Sequence, residues 1–216
     1  MASDHAIVVD GVPDALAEGA IAAAIADVRR IEAKYSRYRD GSVTALINGA
    51  AGGAPVAIDA ETAALLAYAD QCHRLSDGRF DVTSGVLRRA WDFRRSPPSL
   101  PDAAALAALC ALVGWGRVEW DERSIRLPRS GMEIDFGGIG KEYAADRAAA
   151  IAIAAGIAHG YVNLAGDVRV WGGRPGGAPW RVGIRHPQPV EDALRQRSGH
   201  PLQFYGSPAW LHPCAG

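Results

Sequence analysis

The segment IDFGGIGKE, residues 134–142, restricts the fold of this chain more than any other feature. Its pattern predicts a strand over 133–136, a turn at three glycines and an alanine-rich helix over 141–156. Glycine lets a ligand or another backbone approach closely, and a helix N-terminus attracts anions through its unpaired amides. The segment therefore predicts either an anion-binding turn that includes Lys141 or a plain strand-to-helix connection with a surface lysine.

Two familiar phosphate-binding motifs do not fit this segment. A P-loop has the pattern GxxxxGK followed by Ser or Thr, but Asp135 occupies the first glycine position and Glu142 follows the lysine. The dinucleotide-binding pattern GxGxxG fails because Tyr143 stands at its third glycine. The ligand of such a turn has to be inferred from the rest of the chain.

The rest of the chain mixes helical periodicity with short strands. Apolar residues from Leu16 to Tyr35 share one helical face, Asp59 is placed to cap a second helix, and a third helix lies within 99–114. A hairpin is predicted around Asp121, whereas 49–54 and 77–85 are predicted loops. Strands are predicted at 6–10, 55–59, 133–136, within 160–172 and within 179–187. This mixture predicts an α+β fold with a mixed antiparallel sheet and packed helices.

Charge and cysteine content argue against several classes of protein. The formal net charge is −1, from 23 basic and 24 acidic residues, so no nucleic-acid partner is expected. Cys72, Cys110 and Cys214 lie too far apart for a disulfide framework or a zinc motif, and the first two are predicted to be small buried side chains. Without a signal-peptide pattern or a membrane-length apolar run, the chain as written is expected to be soluble and cytoplasmic.

Six ordered motifs are similar to those of one protein family. They are MAS at 1–3, SRYRDGSVTALIN at 36–48, SDGRFDVTSGVLRRAWDF at 76–93, DFGGIGKEYAAD at 135–146, NLAGD at 163–167 and APWRVGIRHP at 178–187. In this order they resemble the ApbE family, the FAD:protein FMN transferases, over roughly residues 1–190. The departures within the motifs are Ala2, Glu142 and Ala165, which stand where glycine is common in the family.

The resemblance implies a T-fold-like structure and a defined reaction. FMN would pass from FAD, through its phosphate, to a threonine hydroxyl of an acceptor flavoprotein, with release of AMP and with Mg²⁺ as cofactor. Such a transfer depends on positioning and charge neutralisation, which a glycine turn beside a lysine could supply. The alternative from another class is a non-catalytic module that binds FAD.

The resemblance also implies site residues by their position in the motifs, although it assigns no catalytic residue. The implied flavin contacts are Met1, Tyr38, Asn48, Phe80, Asp81, Thr83, Asp135 and Lys141. Gly138 is implied as a metal ligand, through its backbone carbonyl. Asn163 and Asp167 would either shape the pocket wall or touch the ligand. Structural roles stay open for Asp81 as a helix cap, for Trp91 in the core and for Asn163 in a turn.

The C-terminal residues depart from the family pattern. Family members continue beyond the PWRV strand with an aspartate and a threonine that help to hold Mg²⁺, and residues 195–216 replace that part here. We therefore expect an incomplete flavin-transferase domain over 1–194, an irregular tail over 195–216 and an apparently missing C-terminal part. Family members are often exported lipoproteins, so a periplasmic or inner-membrane location is the alternative if a lipidated precursor exists.

Overall fold

The computed structural model describes residues 5–91 and 100–182. The described residues form two compact units. The first unit consists of residues 26–144, and the second joins residues 5–25 to residues 145–182. Every predicted flavin contact that the structure describes belongs to the first unit.

The described residues combine helices with short antiparallel strands that do not alternate regularly, which confirms the α+β prediction. The α-helices are α1 (Asp14–Tyr35), α2 (Val43–Gly49), α3 (Ala60–Leu75), α4 (Ala103–Cys110) and α5 (Gly140–Ala154), and 3₁₀ helices cover Val82–Arg89, Trp115–Arg117 and Phe136–Gly138. The strands are β1 (His5–Asp10), β2 (Val56–Ala57), β3 (Glu119–Trp120), β4 (Ser124–Arg126), β5 (His159–Leu164) and β6 (Asp167–Trp171).

The second unit contains an antiparallel sheet in the order β1-β5-β6. Its side chains alternate, so that Val162 and Leu164 are fully buried on one face. β5 and β6 are joined by a tight turn in which Ala165 and Gly166 have φ angles of 60° and 104°. The Asn163 side-chain oxygen accepts a hydrogen bond from the Gly166 amide at 2.8 Å. Asn163 therefore stabilises the turn, which is the structural role that the sequence left open for it.

The first unit contains a smaller sheet in the order β2-β4-β3 and a core that includes Leu66, Ile134 and Phe136. The predicted hairpin is confirmed: the Asp121 carboxylate accepts the amides of Arg123 and Ser124, both at 2.7 Å, and closes the β3–β4 turn. The predicted cap is confirmed too, because the Asp59 carboxylate accepts the Thr62 amide at 2.9 Å.

The strand predicted over 133–136 is wrong. Its backbone partners are not those of a neighbouring strand: the Asn48 side chain bonds both the amide and the carbonyl of Ile134, and the Asp135 amide donates to the Val82 carbonyl at 2.8 Å. The segment is therefore extended without ladder pairing, and it ends in the 3₁₀ helix Phe136–Gly138. Buried apolar side chains alone produced the strand pattern.

Other local predictions also need correction. The loop predicted over 77–85 contains the start of the 3₁₀ helix Val82–Arg89, capped by Asp81 as its structural alternative allowed. α2 was not predicted, although Ser42 caps it by accepting the Ala45 amide at 3.0 Å. In the segment predicted as a strand over 179–187, residues 179–182 form none, and 183–187 lie outside the described residues.

Neither Cys110, for which burial was predicted, nor Trp91, for which the core was one alternative, lies in the core. Cys110 is exposed, because α4 buries none of its residues, and Trp91 is also exposed. Cys72 is half-buried, and Cys214 lies outside the described residues. Among residues 5–91 and 100–182, no helix combines the length and the apolar character needed to span a bilayer.

An ion network around Glu61 connects α1, α3 and α5 through residues that all belong to the first unit. The Glu61 carboxylate accepts two hydrogen bonds from Arg30 in α1 at 2.8 and 2.7 Å, one from Lys34 at 2.6 Å and one from the Tyr143 hydroxyl in α5 at 2.7 Å. The hydrogen bonds from Arg30 are the largest cause that lowers the pKa of Glu61 to about 2. Because bonds to the ionised carboxylate favour that form, the network should stabilise the fold only while Glu61 is charged.

This network predicts a loss of stability in acid. The pKa of Glu61 is about 2 in the fold against an ordinary 4.5, so its contribution is complete above pH 4.5 and is lost as the pH falls towards 2. After allowance for solvent screening, we expect Glu61→Gln to lower the free energy of unfolding at pH 7 by about 1–2 kcal/mol. Urea unfolding at pH 7, 4 and 3 would measure this difference, which should shrink at the lowest pH.

Glu122→Gln is the matched control, because Glu122 is an exposed glutamate of the same unit. It should change neither the stability at pH 7 nor its pH dependence. Equal pH dependence in wild type and Glu61→Gln would show that the charge of Glu61 adds nothing to stability.

Candidate functional site

Segment 134–138 joins several of the segments that carry predicted site residues. The Asn48 amide group donates to the Ile134 carbonyl at 3.0 Å, and the Asn48 oxygen accepts the Ile134 amide at 2.7 Å. The bond from the Asp135 amide to the Val82 carbonyl joins the same segment to the capped 3₁₀ helix. These contacts bring Asn48, Asp135 and the loop of Asp81 and Thr83 into one neighbourhood.

Two glycines permit this close packing. A Cβ at Gly85 would lie 2.6 Å from the Cβ of Asp135, and a Cβ at Gly138 would lie 3.0 Å from the ring of Phe80. A side chain at either position would therefore push the two segments apart. Because Gly138 has no side chain, the Phe80 ring can lie against it. Both Gly137 and Gly138 are exposed.

Asp81 and Thr83 bind backbone amides. One Asp81 oxygen accepts the Thr83 amide at 2.8 Å and the Thr83 hydroxyl at 2.5 Å, and the other accepts the Trp115 amide at 2.9 Å. The Thr83 oxygen in turn accepts the Gly114 amide at 2.8 Å. These bonds fix the loop after Phe80 against residues 114–115, and the Phe80 amide is held by the Ser76 hydroxyl at 2.8 Å.

Arg37 contacts two of the predicted site residues and was not itself predicted as a site residue. Its guanidinium forms an ion pair with the Asp135 carboxylate, donates to the Tyr38 hydroxyl at 2.8 Å and lies 4.9 Å from the centre of the Tyr38 ring. The Tyr38 side chain is held from one side in this way and is 79% exposed. The sequence did contain a signal for Arg37. It is a cation next to Tyr38, which is a predicted flavin contact, and its charge is opposite to that of Asp135, which is another.

Glu133 was also missed. It is buried at 8% exposure, and Arg88 at 3.3 Å and Arg89 form ion pairs with it. A buried carboxylate is costly unless it is paired, which explains why both arginines turn towards it.

The other predicted site residues lie in different parts of the chain. Lys141 is half-buried in the first turn of α5, three residues after Gly138, while Asp135 caps the preceding 3₁₀ helix by accepting the Gly137 amide at 2.9 Å. Asn163 and Asp167 belong to the second unit. Met1 lies outside the described residues.

The residues that the structure describes do not by themselves make a metal site. No group of three or more His, Cys, Asp or Glu side chains among them is placed to hold an ion. The predicted donor at Gly138 is one neutral carbonyl, whereas Mg²⁺ takes about six oxygen ligands. The nearby Asp135 carboxylate is already bonded to Arg37 and to the Gly137 amide.

Curated relatives of this chain bear the name FAD:protein FMN transferase. The FAD:protein FMN transferase of Rhodobacter capsulatus is 31% identical over 204 residues, which cover 91% of this chain and 38% of the relative. Those of Klebsiella pneumoniae and Chlamydia pneumoniae are 31% and 28% identical, covering 77% and 71% of this chain and 52% and 49% of the relatives. The chain thus spans about half the length of the curated relatives it matches.

Solved structures share the fold. The ApbE protein of Thermotoga maritima superposes with a TM-score of 0.73 at 29% identity, covering 88% of this chain and 66% of that protein. The flavin transferase ApbE of Vibrio cholerae has a TM-score of 0.71 at 21% identity, covering 85% of this chain and 64% of that protein. The sequence pattern of the ApbE family matches residues 1–203, nearly the whole chain, and this protein therefore belongs to the ApbE family.

Proposed function

We propose that this chain forms the flavin-binding part of an FAD:protein FMN transferase, an enzyme that transfers FMN from FAD to an acceptor protein. The observation that carries the proposal is the glycine segment 135–141, whose exposed turn lies beside the ring of Phe80 and is followed by Lys141. The names of the curated relatives support the same activity.

The chemistry of FAD suits this arrangement. FAD joins a planar ring system to a diphosphate, so its binding calls for aromatic surface together with positive charge and backbone amides. Phe80 and Tyr38 offer aromatic surface, and Lys141 offers a positive charge in the first turn of a 15-residue helix. Phosphoryl transfer needs in-line positioning and charge neutralisation more than covalent help from the protein, so these residues would bind and orient FAD.

The finer parts of the proposal come from the family resemblance. They are a threonine hydroxyl as the acceptor, AMP as the leaving group and Mg²⁺ as the ion that neutralises phosphate charge. Within the described residues the Gly138 carbonyl is the donor proposed for Mg²⁺, and the phosphate oxygens of FAD would supply others.

Product analysis tests the reaction. The chain would be incubated with FAD and a threonine-containing candidate acceptor, with Mg²⁺ or with excess chelator. We expect AMP release and, on the acceptor, a mass gain equal to FMN less one water, both dependent on Mg²⁺. FAD binding without any AMP would instead indicate a binding module, and AMP release together with free FMN would indicate a pyrophosphatase.

Ligand preference gives a separate prediction. FAD should bind about tenfold more tightly than FMN or more, because Lys141 and the glycine turn are proposed to contact the diphosphate, and a charge-assisted hydrogen bond is worth about 1–3 kcal/mol. Flavin fluorescence would measure both affinities, and competition against bound FAD would measure that of NAD. Equal affinity for FAD, FMN and NAD would contradict a flavin-specific site.

A further inference from the structure

We propose that Arg37 is a positioning residue that neutralises the Asp135 carboxylate, so that the diphosphate of FAD can approach the glycine turn. This inference rests on the proposed function and adds a residue and a role to it. Its basis is the arrangement of one cation, one carboxylate and one exposed glycine turn within the first unit.

The position of Asp135 creates the need for a cation. One oxygen of its carboxylate accepts the Gly137 amide at 2.9 Å, so its negative charge lies at the start of the exposed turn 137–138. The Asp135 side chain is 25% exposed, so water screens its charge only in part. An anionic diphosphate that approached this turn would be repelled by an unpaired carboxylate, even with Lys141 nearby.

Arg37 meets this need by its contacts. Its Nη1 pairs with the second Asp135 oxygen, which the Gly137 amide does not use, and its Nη2 donates to the Tyr38 hydroxyl at 2.8 Å. The Arg37 side chain is 21% exposed, so the pair is better shielded than a surface ion pair. With Asp135 paired to Arg37, its carboxylate adds no net negative charge beside the exposed turn that leads into Lys141.

Charge, and not the orientation of Tyr38, is the property that the inference assigns to Arg37. A lysine could neutralise Asp135 as a point charge, but it could not reproduce the two-ended contact of the guanidinium with Asp135 and Tyr38. Substitutions at Arg37 can therefore distinguish neutralisation of Asp135 from orientation of the Tyr38 ring. Loss of neutralisation should affect FAD and spare riboflavin, which has no phosphate, whereas a misplaced Tyr38 ring should affect both ligands.

The experiment measures FAD and riboflavin affinity by fluorescence for wild type and a set of variants. Arg37→Met should weaken FAD binding about tenfold or more, because an unpaired carboxylate then faces the phosphates, and should change riboflavin binding less than about threefold. Arg37→Lys should keep FAD affinity within about threefold of wild type. Arg39→Met is the matched control, since it removes an exposed arginine of the same loop and should leave both affinities unchanged.

A double-mutant cycle provides the second, independent measurement. In an Asp135→Asn background no carboxylate needs a cation, so adding Arg37→Met should change FAD affinity less than about threefold. This comparison remains informative even if Arg37→Met alone folds poorly. It compares Asp135→Asn with the double variant, and neither of these proteins has a carboxylate at position 135 that lacks a cation. Circular dichroism and thermal melting would check that each variant is folded.

Three results would overturn the inference while the proposed function stands: equal losses of FAD and riboflavin affinity in Arg37→Met, the same FAD loss in the Asp135→Asn background, or an Arg37→Lys variant as weak as Arg37→Met. If wild type binds neither FAD nor riboflavin, the proposed function fails and this inference fails with it.

Discussion

Asp81→Ala is expected to lower the free energy of unfolding by about 2–4 kcal/mol, the largest stability change we predict for a polar residue of this chain. The substitution removes the acceptor of three donors, which are the amides of Thr83 and Trp115 and the Thr83 hydroxyl. Thr83 and Trp115 are 0% and 3% exposed, so water cannot replace the lost acceptor without disturbing the packing.

Urea unfolding in the absence of flavin measures this change. Asp81→Asn should lose less, because its amide oxygen can still accept from Thr83 while its NH₂ group faces the Trp115 amide. Asp40→Ala is the control, since Asp40 is an exposed aspartate of the same unit, and its effect should stay within about 0.5 kcal/mol.

The same variants separate the two roles considered for Asp81. If the residue serves the fold, flavin affinity of the folded Asp81→Asn protein should stay close to that of wild type. A variant that keeps wild-type stability and loses flavin binding would identify Asp81 as a ligand contact and would contradict the structural role argued here.

Local hydrogen bonds explain which parts of the fold could be predicted from the sequence. The Asp59 cap and the Asp121 turn depend on acceptors two or three residues from their donors, and both were predicted. The wrong strand at 133–136 depends on Asn48, a residue 86 positions away from Ile134. A period-two apolar pattern shows that a segment is buried and extended, but it does not show whether a strand or a side chain satisfies its backbone.

In the candidate site, too, contacts between residues far apart in the sequence were the ones that could not be predicted. The motifs pointed to Tyr38, Phe80 and Asp135, and the structure brings their segments together, while their contacts with flavin stay predictions. Arg37 was missed because its partner Asp135 lies 98 residues further along the chain. Glu133 was missed because its two arginines lie 44 and 45 residues away. Ion pairs of this kind form only when the fold brings distant charges together, so the sequence shows the charged residues but not which of them pair.

Lys141→Ala is expected to weaken FAD binding about 10- to 100-fold, which corresponds to the roughly 1–3 kcal/mol of a charge-assisted hydrogen bond to a phosphate. Lys141 lies in the first turn of α5, where the helix dipole also favours an anion. Riboflavin affinity should change less than about twofold, because riboflavin carries no phosphate for the lysine to contact. Fluorescence titration of both flavins with wild type and variant gives the comparison directly.

A conservative variant and a chemical probe make this test specific. Lys141→Arg keeps the charge and should retain FAD affinity within about fivefold, since arginine also binds phosphate. Lys34 and Lys141 are the two lysines of the chain, and Lys34 is engaged by Asp59 and Glu61, both at 2.6 Å. Saturating FAD should therefore slow acylation of Lys141 by an amine reagent and leave the rate at Lys34 unchanged, as read by mass spectrometry.

Two results would contradict the phosphate role. The first is a Lys141→Ala variant that loses riboflavin and FAD affinity in equal proportion, which would mean that the lysine supports the fold of the segment. The second is unaltered acylation of Lys141 in saturating FAD, which would place the diphosphate away from the first turn of α5. In either case Lys141 would have a role other than phosphate binding, and Arg37 would no longer be needed to neutralise Asp135 for an incoming anion.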